Sequence, residues 1–174
     1  MVCPKWVLLP WETSGVVREN PVTATVSGDE VKTHPILLYD GVCGLCNRAV
    51  QFVLRHDREG VFRFASLQSQ LATQILARHG ADPTSLDTIY VITSRAGVKE
   101  KENDVLLGRS EAVQFVLCEF GGIWRVWAGV LGALPRPVRD WGYEIVARNR
   151  YRVFGKYKTC PLPSEETRAR FLDI

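Results

Sequence analysis

The sequence predicts an α/β fold, a βαβ core with additional C-terminal helices, and three observations carry that prediction. Short apolar runs alternate with amphipathic stretches in the order strand, helix, strand, helix, strand, after which only helical patterns follow. Turn and cap residues, Asp40-Gly41, Gly60, Gly80 and Pro135-Arg136-Pro137, stand at the joints. The composition is that of an ordinary globular chain: 174 residues, 46% hydrophobic and 24% charged.

Residues 1–34 show no sustained period and are interrupted by Pro4, Pro10, Gly15, Pro21 and Gly28, so an irregular extension is expected, with a short strand at 22–26. Ile36 to Tyr39 is a short apolar run ending in a turn dipeptide, the pattern of a buried strand. From Cys43 to Arg58 the apolar residues Cys46, Ala49, Val50 and Val53 recur at helical spacing. Val61 to Ala65 alternates as a strand, and Leu67 to His79 is amphipathic through Leu71, Ala72, Ile75 and Leu76. Thr88 to Thr93 is the most strand-like run, and Arg95-Ala96-Gly97 turns the chain into a hairpin arm. Ser110 is a candidate cap for a helix to Phe120 whose apolar face is Val113, Val116, Leu117 and Phe120. Further helices are expected over 123–134, 138–148 and 164–172.

The apolar stretch from Ala112 to Leu134 is long enough to cross a bilayer, but Glu119 and Arg125 lie near its centre with Gly121-Gly122 between them. Charges at such depth cost about 2.5–3.5 kcal/mol each, so two helices and no membrane span are expected. The net charge of +3 is small, and its excess falls in residues 121–174, where 10 basic residues meet 5 acidic ones. Five scattered cysteines do not make a secreted disulfide framework, and the apolar run Trp6 to Leu9 ends at Pro10 before it could serve as an export signal. A reducing compartment, the cytoplasm, is the expectation.

The residues most suited to chemistry are Tyr39-Asp40-Gly41-Val42-Cys43-Gly44-Leu45-Cys46-Asn47, a CxxC set between a strand and a helix. Free N–H groups and the helix dipole at a first turn stabilise an anion and can lower a thiol pKa from about 8.5 to between about 3.5 and 7.5. Cys43 is therefore the expected thiolate, exposed and attacking, while Cys46 begins the apolar stripe and is the sheltered, resolving sulfur. Asp40 reads in two ways, as a turn residue accepting backbone N–H bonds or as a group exchanging a proton with Cys46. The competing reading of the pair is a metal clip, but zinc wants four ligands and no second CxxC-like pair occurs in the sequence.

This run resembles the signature of the DCC family of thiol-disulfide oxidoreductases, which are thioredoxin-like in fold class. The resemblance extends from about Pro35 to Pro163 and includes Ser110-Glu111-Ala112-Val113, Pro135-Arg136-Pro137-Val138-Arg139-Asp140 and Ala147-Arg148-Asn149-Arg150-Tyr151-Arg152, followed by Cys160. It carries over Asp40, Cys43 and Cys46 as functional residues. It implies a redox core over 35–120 and a helical, basic subdomain over 121–174 packed on it. Thioredoxin itself has Trp before the first cysteine and Pro before the second, where this chain has Val42 and Leu45, and it has a cis-proline before its third core strand, where this chain has Ser85-Leu86-Asp87.

The expected function is dithiol–disulfide exchange on a protein or small-molecule thiol or disulfide, without a bound cofactor or metal and with an electron-supplying redox partner. Two alternatives belong to other classes. One is a non-catalytic interaction domain whose CxxC binds metal or senses oxidation. The other is a nucleic-acid binder using the seven Lys and Arg between Arg136 and Lys158, interleaved with Trp141, Tyr143, Tyr151, Phe154 and Tyr157; no nucleic acid is expected. Cys118 reads as a core residue, Cys160 as a loop cysteine or a third redox thiol, and Cys3 as part of the irregular extension.

Overall fold

The computed structural model describes residues 34–82, 88–94, 104–157 and 165–173. Four strands form one mixed sheet in the order β2-β1-β3-β4. Strand β1 (Ile36–Tyr39) pairs in parallel with β2 (Arg63–Ser66) and antiparallel with β3 (Tyr90–Ser94), which pairs antiparallel with β4 (Asp104–Gly108). Parallel neighbours need a crossover, and α1 (Gly44–His56) supplies it between β1 and β2. The remaining helices are α2 (Gln70–Arg78), α3 (Arg109–Phe120), α4 (Gly122–Ala133), α5 (Arg136–Phe154) and the single turn α6 (Glu165–Arg168). This mixed sheet with helices is thioredoxin-like, as expected.

Strand β1 is buried on both faces, and its alternating side chains feed two cores. Leu37 and Tyr39 join Val50 and Val53 of α1 and Ala112, Phe115 and Val116 of α3. Ile36 and Leu38 join Leu71, Ala72, Ile75 and Leu76 of α2. Each fully buried large aliphatic side chain contributes about 1.5–3 kcal/mol, so this short central strand anchors both layers.

Several element boundaries differ from the sequence expectation, each for a local reason. Strand β2 starts at Arg63 because the Asp57 carboxylate accepts from the N–H groups of Val61 and Phe62, both at 2.9 Å. Helix α2 starts at Gln70 because the Ser69 hydroxyl caps it, accepting from the Ala72 N–H at 3.1 Å, while the Leu67 N–H bonds the Tyr39 carbonyl. Ser110 does not cap α3; it lies inside the helix, buried, and its hydroxyl bonds Asp140. The face that α3 buries carries Ala112, Phe115 and Val116, whereas Val113 is 36% exposed. Helix α6 ends early because the Phe64 N–H bonds the Arg170 carbonyl and the Leu172 N–H bonds the Phe64 carbonyl, both at 2.9 Å, which draws the last residues out alongside β2. The strand expected at 22–26 and the turn at 95–97 lie outside the described residues.

Helices α3 and α4 are separate, as the charges between residues 112 and 134 predicted, and among the described residues no helix is long and apolar enough to cross a membrane. Helix α5 is unusual in its polarity. Asp140, Tyr143, Arg150 and Tyr151 make contacts toward the rest of the fold, while Val138, Trp141, Ile145, Val146 and Val153 are exposed.

Candidate active site

The loop from Asp40 to Cys43 leads from β1 into α1, and Cys43 is the residue that caps the helix. Its backbone is extended, and its Sγ accepts a hydrogen bond from the Cys46 N–H at 3.4 Å. A sulfur at this position faces the free N–H groups of the helix's first turn. Asn47 braces the loop by donating from Nδ2 to the Gly41 carbonyl at 2.8 Å and the Cys43 carbonyl at 3.0 Å. Cys43 and Cys46 are both free thiols.

Cys43 is not the exposed sulfur that the sequence pattern suggested; it is 0% exposed, and Cys46 is 1% exposed. The end of α5 explains the difference. Gly155 to Tyr157 runs beside the motif as an added piece of backbone: the Gly44 N–H bonds the Gly155 carbonyl at 3.2 Å, the Tyr157 N–H bonds the Val42 carbonyl at 2.8 Å, and Cys43 pairs antiparallel with Lys156. The approach is so close that a Cβ on Gly44 would lie 2.1 Å from the Phe154 carbonyl oxygen, so glycine is required between the cysteines. Gly155 adopts φ of 75°, the left-handed region, which lets the chain leave α5 and turn along the motif.

Asp40 is completely buried and its carboxylate is fully engaged. Oδ1 accepts from the Val42 N–H at 3.1 Å and from Gln68 Nε2 at 2.8 Å. Oδ2 accepts from Arg150 Nη2 at 3.1 Å and from the Tyr151 hydroxyl. The same guanidinium reaches the second cysteine: Arg150 Nη1 lies 3.8 Å from Cys46 Sγ, and Nη2 also contacts the Tyr151 hydroxyl at 2.8 Å. Arg150 is only 2% exposed. One buried cation thus joins two of the three residues singled out from the sequence, Asp40 and Cys46.

The electrostatics follow from this packing. Burial pushes the Cys46 thiol up to about 12, reinforced by the charge of Cys43 and the hydrogen bond with it; the Arg150 charge and the Asp40 backbone N–H pull the other way. Burial by itself would lower the Arg150 pKa, but Cys46, Tyr151, Cys43 and Asp40 reverse that and hold it above its ordinary value. Tyr151 is also raised to about 12, first by burial and then by its bond to Asp40. Tyr143 accepts from the Ile89 N–H at 2.9 Å, beside the start of β3, and its own pKa is raised, first by burial, with the Cys46 charge contributing. Helix α5 therefore supplies Arg150 and Tyr151 to the buried side of the motif.

Arg150 and Tyr151 belong to the Ala147-to-Arg152 stretch of the basic segment, where the sequence pattern does not single them out as site residues. The signal that could have found them is their i, i+7 and i+8 spacing from Tyr143, one helical face. The other basic residues of that segment are partly committed within the fold: Arg136 pairs with Glu111, Arg148 with Glu144, and Arg139 bonds Gln114. Cys118 is buried, as a core residue should be. Cys3 and Cys160 lie outside the described residues. Among the described residues no group of three or more His, Cys, Asp or Glu side chains is arranged to hold a metal.

Residues 37–156, more than half the chain, match the DCC1-like thiol-disulfide oxidoreductase family. The chain belongs to that family. Relatives support the assignment across nearly the whole fold. The protein is 38% identical over 137 residues to a Bacillus subtilis protein named "Uncharacterized protein YuxK", covering 79% of this chain and 93% of that one. It is likewise 38% identical over 141 residues to an Arabidopsis thaliana protein named as a chloroplastic DCC family protein, covering 81% of this chain and 77% of the relative. No solved structure gives a significant match. For a DCC1-like oxidoreductase, the name indicates a redox role on thiols, and Cys43 and Cys46 are two free thiols close to one another.

Proposed function

We propose that the protein catalyses dithiol–disulfide exchange with Cys43 as the attacking sulfur and Cys46 as the resolving one. The observation that carries this reading is the position of the two free thiols, one capping α1 and the other one turn inside it, joined by the Cys46 N–H bond to Cys43 Sγ. Cys43 stands at the helix terminus, and Cys46 is within one turn of whatever bond Cys43 forms. Asp40 acts as an organiser of the loop: both its oxygens are occupied by donors, which favours its structural reading over that of a proton carrier.

The substrate is a protein or small-molecule thiol or disulfide, and continued turnover needs a redox partner to supply or accept the electron pair. A reducing compartment such as the cytoplasm would keep the pair in its dithiol form.

The reading is tested by equilibrating the chain with glutathione disulfide and mapping its peptides without reduction. A Cys43–Cys46 disulfide is expected. In cells, Cys46→Ser should accumulate disulfide-linked partners and Cys43→Ser should not. Both thiols remaining free after equilibration would sink the proposal, and zinc held by the pair in the freshly purified protein would replace it with the metal-clip reading.

A further inference from the structure

We propose that Arg150 is a catalytic residue of this exchange: its guanidinium, held in place by Asp40 and Tyr151, stabilises the negative charge on Cys46 whenever the bond between Cys46 and Cys43 forms or breaks. The inference rests on the dithiol reading and extends it to a residue 104 positions from the second cysteine.

The reaction requires that charge in either direction. In the reductive direction, the Cys43 thiolate attacks a substrate disulfide, a Cys43–substrate bond forms, and the first substrate sulfur leaves as a thiolate that takes a proton from water. Cys46 then gives its proton to water and attacks Cys43 Sγ. The Cys43–substrate bond breaks, the second substrate sulfur leaves and is protonated, and the pair has lost two electrons to the substrate. In the oxidative direction a substrate thiolate attacks Cys43 of the Cys43–Cys46 disulfide, and Cys46 departs as a thiolate. Both routes pass through an anionic Cys46 in a buried place, where an unpaired charge is strongly disfavoured.

The two sulfurs are served differently. Cys43 caps α1 and faces its N-terminal N–H groups. Cys46 lies one turn in, with Arg150 Nη1 at 3.8 Å, while Nη2 of the same group is bonded to Asp40 at 3.1 Å and to the Tyr151 hydroxyl at 2.8 Å. The guanidinium plane is thus oriented on one side by a carboxylate and a phenol and presented on the other to sulfur. A buried ion pair is poor value for stability alone, since apolar residues of the same volume serve as well or better. A permanent charge aimed at a reacting atom is a reason to keep one. Asp40 and Tyr151 are then positioning residues, acting on Cys46 through Arg150.

The test follows resolution directly. Reduced full-length chain is mixed with glutathione disulfide, quenched in acid at intervals, and peptide-mapped, so that the Cys43–glutathione adduct is seen to appear and then to decay into the Cys43–Cys46 disulfide. In Arg150→Gln, the decay should slow about tenfold at neutral pH and its pH profile should move up by about one unit, while adduct formation at Cys43 changes much less; Arg150→Lys should recover most of the loss. A folded Arg150→Gln chain with the wild-type decay rate and profile would overturn the proposal. If that variant does not fold, Tyr151→Phe takes its place, with a smaller upward displacement expected and an unchanged profile again overturning it. Absence of any Cys43–Cys46 disulfide in the wild-type chain would instead mean that the exchange reading itself had failed.

Discussion

Asp40 and Arg150 form an ion pair of 3.1 Å although 110 residues separate them, and their side chains are 0% and 3% exposed. The pair ties the loop before α1 to the second half of α5, so the environment of the CxxC depends on a helix distant in sequence. Removing one partner leaves the other as an uncompensated buried charge, which typically costs about 3–5 kcal/mol. Asp40→Ala should therefore lower unfolding free energy by an amount in that range, measured by denaturant titration. Replacing both residues, Asp40→Ala with Arg150→Met, should cost less than the sum of the single changes. Additive single effects would show that the two charges do not depend on each other.

The contact between Gly44 and the α5 terminus makes a second prediction. Gly44→Ala would place a Cβ 2.1 Å from a backbone oxygen that cannot rotate away, so the segment 154–157 must shift. A cost of about 1–3 kcal/mol is expected, the usual range for overpacking. Gly155→Ala has open space but φ of 75°, and should cost about 1–2 kcal/mol through backbone strain alone. Only the Gly44 change should also speed alkylation of Cys43 in the native state, because it alone forces apart the backbone covering that sulfur. Equal alkylation rates in the two variants would mean that the segment from Gly155 to Tyr157 does not shield Cys43.

Alkaline pH should destabilise the reduced protein. Burial raises Cys46 from 9.0 to about 12 and Tyr151 from 10.0 to about 12 in the fold. Between pH 9 and 12 the folded chain consequently holds protons that the unfolded chain has released. Stability is then fully present below pH 9 and declines as pH rises toward 12. Cys46→Ser removes one of these groups and should flatten the decline, as followed by unfolding at a series of pH values. An equally steep decline in Cys46→Ser would show that the thiol makes no contribution to it.

The outer surfaces of α4 and α5 carry Trp127, 57% exposed, and Trp141, 66% exposed. Despite their size, neither supports the fold. Trp127→Gln and Trp141→Gln should each change stability by no more than about 0.5 kcal/mol, the range for exposed positions. A loss of 2 kcal/mol or more in the thermal unfolding of either variant would mean that the side chain is packed in solution.

Much of the architecture can be read along the chain. The alternation of strand and helix patterns, the turn at Asp40-Gly41 and the break at Pro135 depend on residues a few positions apart, and local propensity governs them. The same locality identifies the CxxC and its place at a helix start. Tertiary structure decided what surrounds the sulfurs. Cys43 is buried because a segment more than 100 residues later adds its backbone to the motif. Helix α5 defeats hydrophobic periodicity because its functional face is polar: Asp140, Tyr143, Arg150 and Tyr151 find partners inside the fold, whereas its apolar residues remain outside. A buried arginine is stable only where a carboxylate and a hydroxyl already wait for it, and that condition belongs to the folded arrangement of Asp40, Tyr151 and Cys46, which no local pattern contains.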